Sequence, residues 1–375
     1  MIRKLILATL LALGAGLGAA SRAEAIPAFS MQTGLQCDAC HTSVRSTNDL
    51  GDAYLRNEYR LPNMGIGGKP VVAVRGQFAY TSEPDPTGLP KLIVDEVEAF
   101  VSARVNKEVT VAGDFYMLDG GRPGSTREAW AQYSSPGSFA GTPVRLTVGA
   151  MTLPLPDDPE TFRQTNQHYA IWDQTVGGNP FTFIDPHNAA MLGLGSPVRG
   201  PSVSLLAVQG HDQLSGLPRT GTDTMLQAQE ALHGVVLSAY DYAGRRELGA
   251  IGDTFRRDGF GLNIYRGNLA IEGVVQTGFD TSPNGDGVGI ASSGGFLQLR
   301  YHLPRATFVI LRYDGVNDTS GNFSRSLTIA ASRLVSSGLR LEVEDVIQHG
   351  GRTTNTFNSS LGFGVSNTRI GSGAY

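Results

Sequence analysis

The stretch GFLQLRYHL, residues 295–303, decides the fold. Leu297, Leu299, Tyr301 and Leu303 alternate with Gln298, Arg300 and His302. Successive side chains of a strand point to opposite faces, so this segment carries one apolar face and one polar face. LRLEVEDVI, residues 339–347, repeats the pattern, with Leu339, Leu341, Val343 and Ile347 opposing Arg340, Glu342 and Glu344. So does LIVDEVEAFVSARV, residues 92–105. There Ile93, Val97, Ala99, Val101, Ala103 and Val105 oppose Glu96, Glu98, Ser102 and Arg104.

Working outward, strands are expected near 71–80, 92–105, 109–118, 127–135, 144–153, 187–194, 201–210, 223–230, 234–243, 254–265, 269–279, 295–303, 306–314, 325–334, 339–349 and 356–366. Tight links such as Asn106-Lys107, Arg266-Gly267-Asn268 and Pro304-Arg305 alternate with long polar ones such as TSEPDPTGLP, DGGRPGST, GHDQLSGLPRTGT and DTSPNGDGVGIASS. About sixteen antiparallel strands, with short turns at one end and long loops at the other, predict an all-β chain forming a transmembrane outer-membrane barrel, residues 70–375. A soluble β-sandwich or propeller would also alternate faces. It would not need this alternation of loop lengths, and no blade-length repeat is visible. Pro154 to Asp185 breaks the rhythm with a proline-rich interval on the long-loop side, which either folds into the pore or forms a surface loop.

The amino terminus has the plan of a secretory leader over residues 1–25: Arg3 and Lys4, an apolar run from Leu5 to Ala20, then Ala23-Glu24-Ala25 as a small-x-small cleavage site. Beyond it no apolar stretch reaches the ~20 residues of a membrane-spanning helix. Removing the leader leaves 27 basic against 33 acidic residues, net −6. Phosphate binding needs a basic face, so nucleic acid is excluded as a partner. Forty-eight glycines and only 17% charged residues fit many tight turns.

Both cysteines of the chain lie in LQCDACHTS, residues 35–43. A disulfide between Cys37 and Cys40 would close too small a ring to stabilise the fold. A thioredoxin-like use needs a βαβ context, and zinc needs a second ligand pair. Cys37-x-x-Cys40-His41 is the attachment pattern of c-type haem. Both thiols would bond one haem c, and His41 would be an axial ligand of its iron. Thr47 and Asn48 can cap a helix over Asp49–Tyr59, which Pro62 ends. Residues 26–69 therefore form a small helical haem segment, too small to be secure alone. The sixth iron ligand has candidates in Met31, Met64, His168 and His187. Met/His ligation raises the haem potential.

The segment resembles the start of the fused outer-membrane cytochrome–porins of iron-oxidising bacteria. The resemblance covers residues 26–62. It is carried by Pro27, Phe29, Thr33 and Gly34 ahead of the haem motif, and by Gly51, Tyr54, Tyr59 and Leu61 after it. Asp52 departs from the basic residue that pattern has. The resemblance implies a monohaem electron carrier in the outer membrane, with the haem segment at the periplasmic side or inside the lumen. It implies an Fe(II) oxidase taking electrons from extracellular Fe(II) and passing them to a periplasmic carrier, a soluble cytochrome or cupredoxin. Carboxylates that suit iron are Glu96, Glu98, Glu342 and Glu344 on the polar strand faces and Asp157, Asp158 and Asp286 in loops. Two other readings stay open: a haem-tagged diffusion porin, and a barrel-anchored haem enzyme or sensor.

Overall fold

The computed structural model describes residues 41–43, 46–47, 51, 71–82, 92–106, 108–139, 142–157, 165–197, 200–211, 218–248, 251–303, 307–336 and 339–366. The expected leader, Met31, Cys37, Cys40, Met64, Asp158 and all but Gly51 of the expected helix lie outside the described residues.

Sixteen antiparallel strands close into a barrel. They are β1 (Val71–Thr81), β2 (Leu92–Arg104), β3 (Val109–Asp119), β4 (Thr126–Phe139), β5 (Thr142–Met151), β6 (His187–Gly195), β7 (Gly200–His211) and β8 (Pro218–Leu232), then β9 (Val235–Leu248), β10 (Ile251–Arg266), β11 (Leu269–Asp280), β12 (Ile290–Leu303), β13 (Thr307–Asp318), β14 (Phe323–Ser336), β15 (Leu339–Gly350) and β16 (Arg352–Ser366). Each pairs with its sequence neighbours, and β16 closes on β1 with Gly362 opposite Gln77. One helical turn, α1 (Ala170–Asp173), lies between β5 and β6. Apart from the barrel, His41–Ser43 pairs with Ser46–Thr47.

The polar face points inward. On β12, Leu297 and Tyr301 are 52% and 47% exposed, whereas Gln298 and Arg300 are 0% exposed. A soluble sandwich requires the reverse, because its apolar face forms the core. Here the apolar row faces out all round the barrel, at Val101, Leu146, Leu205, Leu226, Leu237, Val275, Leu311 and Ile329 among others. Only lipid covers such a belt, and closure of the sheet leaves no backbone edge unpaired within it. No helix of the described residues is long and apolar enough to cross a membrane; the crossing is made by strands. The chain is a β-barrel of the bacterial outer membrane.

The strands run from 9 to 16 residues, whereas a tilted strand crosses the hydrocarbon in ~9–11. The excess lies on the long-loop rim. β8 begins at Pro218 and β12 at Ile290, so residues read as loop in GHDQLSGLPRTGT and DTSPNGDGVGIASS continue the ladder. Above the belt water bathes both faces, and backbone pairing persists without an apolar row to mark it. Gly351 alone turns β15 into β16 there.

Candidate functional site

The described parts of the interval after β5, 152–157 and 165–186, fold into the lumen and are held at three places. At the first, the Asn263 side-chain amide donates to the Pro156 carbonyl (3.3 Å) and to Asp157 Oδ1 (2.9 Å). At the second, Arg312 Nη1 donates to Thr165 Oγ1 and Nη2 to the Gln167 carbonyl, both at 2.7 Å, while its Nε donates to Asp314 Oδ2 at 2.7 Å. Glu344 Oε2 accepts the Asn166 and Gln167 backbone N–H groups at 2.8 and 3.4 Å. The Ala170 amide donates to Asp314 Oδ1 (3.2 Å). At the third, Asn179 Nδ2 donates to both Asp253 and Asp280, each at 2.9 Å. Loop backbone taken out of water is thereby satisfied by polar side chains of the wall, as burial demands.

Between these anchors the loop presents an apolar surface. Tyr169 stacks on Phe296 with centroids 4.2 Å apart, and Trp172, fully buried, meets Phe183, Tyr240 and Phe296. Phe181 packs on Tyr242 and Phe255, and Arg246 lies 4.9 Å over the Phe255 ring. Offset and edge-on rings at these distances add to the burial term, and the cation over the ring adds again. Burial, with the Asp157 carboxylate next, pushes the Tyr169 phenol well above its usual range, so it stays neutral. The wall residues Tyr240, Tyr242, Phe255 and Phe296 were not singled out from sequence. Their signal is that each stands in the polar phase of its strand.

The rest of the lumen is lined by ion pairs: Arg127 with Asp114 (3.4 Å), Arg246 with Asp223 (3.0 Å), Arg257 with Asp280 (2.6 Å), Arg300 with Glu272 (2.6 Å), Arg340 with Glu342 (3.1 Å), and Arg75 with Glu96 (2.9 Å) and Glu98. Near the short-turn rim Ser102, Thr110 and Glu342 are fully buried, whereas Gln298 and Thr328 are buried at mid-height on either side of Arg312.

No protein-family model matches the chain, and no curated protein does. Solved structures do. A Salmonella typhi OmpF complex with daunomycin is similar over 80% of this chain and 98% of its own, at 10% identity and TM-score 0.60. An anion-selective porin from Comamonas acidovorans is similar over 80% and 100%, at 11% and 0.58. The outer-membrane channel DcaP of Acinetobacter baumannii is similar over 80% and 98%, at 12% and 0.56. The fold is that of an outer-membrane porin.

Within this porin fold the predicted site residues fall apart into groups. Glu96, Glu98, Glu342 and Glu344 face the lumen as expected, and each is engaged by an arginine or by loop amides. Asp157 holds Asn263, and Asp286 caps its own turn through the Val288 amide (2.9 Å). Among the described residues no three His, Cys, Asp or Glu side chains converge as a metal site. His187 is buried beneath the loop, its Nε2 3.3 Å from the Thr182 carbonyl and its ring against Phe181. His168 is half-exposed, with Nδ1 3.7 Å from Asp173. The backbone of His41 lies in the short hairpin.

Proposed function

We propose that the chain is an outer-membrane porin whose passage is restricted from both ends. The inward loop narrows it from the outer side. On the periplasmic side stands the segment 26–69, carrying one haem c on Cys37 and Cys40 with His41 as axial ligand. The observation that carries the porin reading is the loop pinned across a polar, ion-paired lumen. That is the arrangement of a channel for small ions and polar solutes, not of a solid core.

The haem reading is supported by the donor set, two thiols and an imidazole at the attachment spacing. The seat of the segment is supported by the fully buried polar side chains near the short-turn rim, which a water-filled lumen would leave wet. A compact chain of 44 residues has a radius of gyration of ~9 Å, a size that suits a wide barrel's interior. The strand number is even, so both chain ends belong to the short-turn, periplasmic rim.

Conductance in planar bilayers tests this. The intact protein is expected to give small steps, and a variant lacking residues 26–69 but keeping the leader large ones. Equal large steps in both would remove the segment from the pore. A second reading, favoured by the haem motif, makes the segment an electron relay from extracellular Fe(II) to a periplasmic cytochrome or cupredoxin. Fe(II) added to the oxidised protein is then expected to produce the reduced haem spectrum within seconds, and no reduction would retire Fe(II) as donor.

A further inference from the structure

We propose that Arg325 and His349, on the outward face of the barrel at its long-loop rim, bind the phosphate of an outer-leaflet lipid. The proposal stands on the barrel and its lipid belt and needs neither the haem nor the conducting path. Arg325 lies two residues inside the start of β14, and His349 one residue before the end of β15. They are direct partners across the ladder. Both are in the outward phase, above two apolar rows. The first row below runs Tyr313, Leu327, Ile347, and the second begins with Leu311 and Ile329. Acyl chains cover those rows, and a phosphate one row higher stands where hydrocarbon gives way to head groups. The row of the two bases also contains a recess. Gly315 is directly across from Arg325, and Gly295 directly across from Gly315. A Cβ built at Gly315 would lie 3.8 Å from the Tyr313 ring and 3.9 Å from Arg325 Cγ, so ring and arginine stem wall a dent floored by backbone. Lower on the same two strands the outward positions carry Leu297, Leu299, Tyr301, Val309 and Leu311.

Charge names the occupant. Asp318, at the same rim, spends both carboxylate oxygens on Ser320 and Asn322 within its own turn. Asp345 stands two rows below His349. Among the described residues Arg325 therefore has no carboxylate partner. Arg256, outward on β10, shows the contrast: Asp241 and Asp258 both hold it, the latter at 2.9 Å. A cation left unpaired at the upper edge of a lipid-covered belt is complementary to the anionic head groups that meet it there. The guanidinium fork matches two phosphate oxygens at once. His349 Nδ1 lies 3.0 Å from Thr353 Oγ1. With the hydroxyl donating there, Nε2 carries the ring's hydrogen and supplies a further donor. The exposed Phe323 ring, its centroid 5.6 Å from that of His349, and the exposed Tyr313 bracket the two bases from above and below. Aromatic side chains of this kind sit at head-group level.

The test titrates full-length protein, delipidated in detergent, with dioleoyl phosphatidic acid and with dioleoylglycerol, and counts retained lipids by native mass spectrometry. The wild type is expected to hold one phosphatidic acid about tenfold more tightly than the phosphate-free lipid. Arg325→Ala with His349→Ala should remove that preference, and Arg325→Lys should keep part of it. Gly315→Leu, which fills the recess and spares both bases, should weaken retention as well. Arg256→Ala should leave it unchanged. A heat-modifiable band shows each variant folded. Equal retention of the two lipids by the wild type, or an unchanged preference in the double variant, overturns the assignment. Displacement of the lipid by an equal concentration of inorganic phosphate would give the site to the free ion and overturn the lipid. The same spectra count chains. An oligomer lost in the double variant while its lipid preference persists would give this surface to a second copy, and would equally overturn the proposal.

Discussion

Arg312 is where one side chain determines the shape of the pore. Its guanidinium serves Asp314 on its own strand and Thr165, Gln167 and His168 of the loop, and lies 4.6 Å over the Tyr169 ring. Five donors in a rigid fork can do this; the point charge of a lysine cannot satisfy three directions at once. Arg312→Ala leaves two loop carbonyls without their donor and Asp314 without its cation. Breaking a buried pair of this kind costs about 3–5 kcal/mol. The barrel ladder is untouched, so the loss is expected as release of the loop. Single-channel conductance should rise while heat-modifiability persists, and Arg312→Lys should fall between. Asp345 makes the opposite case on the outer face. It sits between Val343 and Ile347 in the lipid-facing row of β15, across from Ile329 on one side and Phe357 on the other. A carboxylate there is set against hydrocarbon. Asp345→Leu is expected to stabilise the barrel by about 1–2 kcal/mol, seen as a higher urea midpoint in refolding from detergent; a lower midpoint would show that a partner, not lipid, covers that row.

At the scale of elements, the inward loop depends on how closely it approaches the wall. Gly261 on β10 is one point of close approach. A Cβ built there would strike the Pro156 ring and lie 2.8 Å from Ser238 Oγ. Gly261→Leu should push the loop off its first anchor, breaking the Asn263–Asp157 bond two residues along, with the barrel intact. The check is a conductance increase comparable to that of Arg312→Ala, while the outward Leu262→Val change on the same strand leaves conductance alone. The strands themselves were legible because the belt enforces period two: Gln298, Arg300 and His302 can only point away from lipid once Leu297, Leu299 and Tyr301 point into it. Their extensions at Pro218 and Ile290 were not legible, because above the belt neither face is constrained. The loop's direction was not legible either. Its anchors come from Asp253, Asn263, Asp280, Arg312, Asp314 and Glu344, separated from it by 74 to 178 residues in sequence, and no local pattern in Pro154–Asp185 names them. The sign lay in the wall instead, where Tyr240, Tyr242, Phe255 and Phe296 hold positions that elsewhere take Gln, Arg or Glu. Aromatic residues in the water-facing phase mark something that must cover them.

For the whole molecule, the sign of the lumen's charge follows from counting what faces inward. Among the described residues, eleven buried carboxylates stand against seven buried guanidiniums, with the half-buried Arg75 an eighth cation. Most are paired across neighbouring strands, so each wall is locally neutral and the surplus is spread over the lumen. Residues 26–69 add four acidic and four basic side chains and leave the surplus unchanged. Charges of one sign in a low-dielectric channel raise the local concentration of counter-ions, so cations are expected to permeate more readily than anions. The fold does not dictate this: the porin from Comamonas acidovorans whose fold it resembles is anion-selective. Under a tenfold KCl gradient the reversal potential of the variant lacking residues 26–69 should carry the sign of potassium preference. The preference should shrink as salt rises, because the Debye length falls from about 10 Å at 0.1 M to about 3 Å at 1 M. A chloride preference at low salt would mean that the conducting path runs past the arginines and not past the carboxylates, which would place it on a different side of the inward loop from the one the lining predicts.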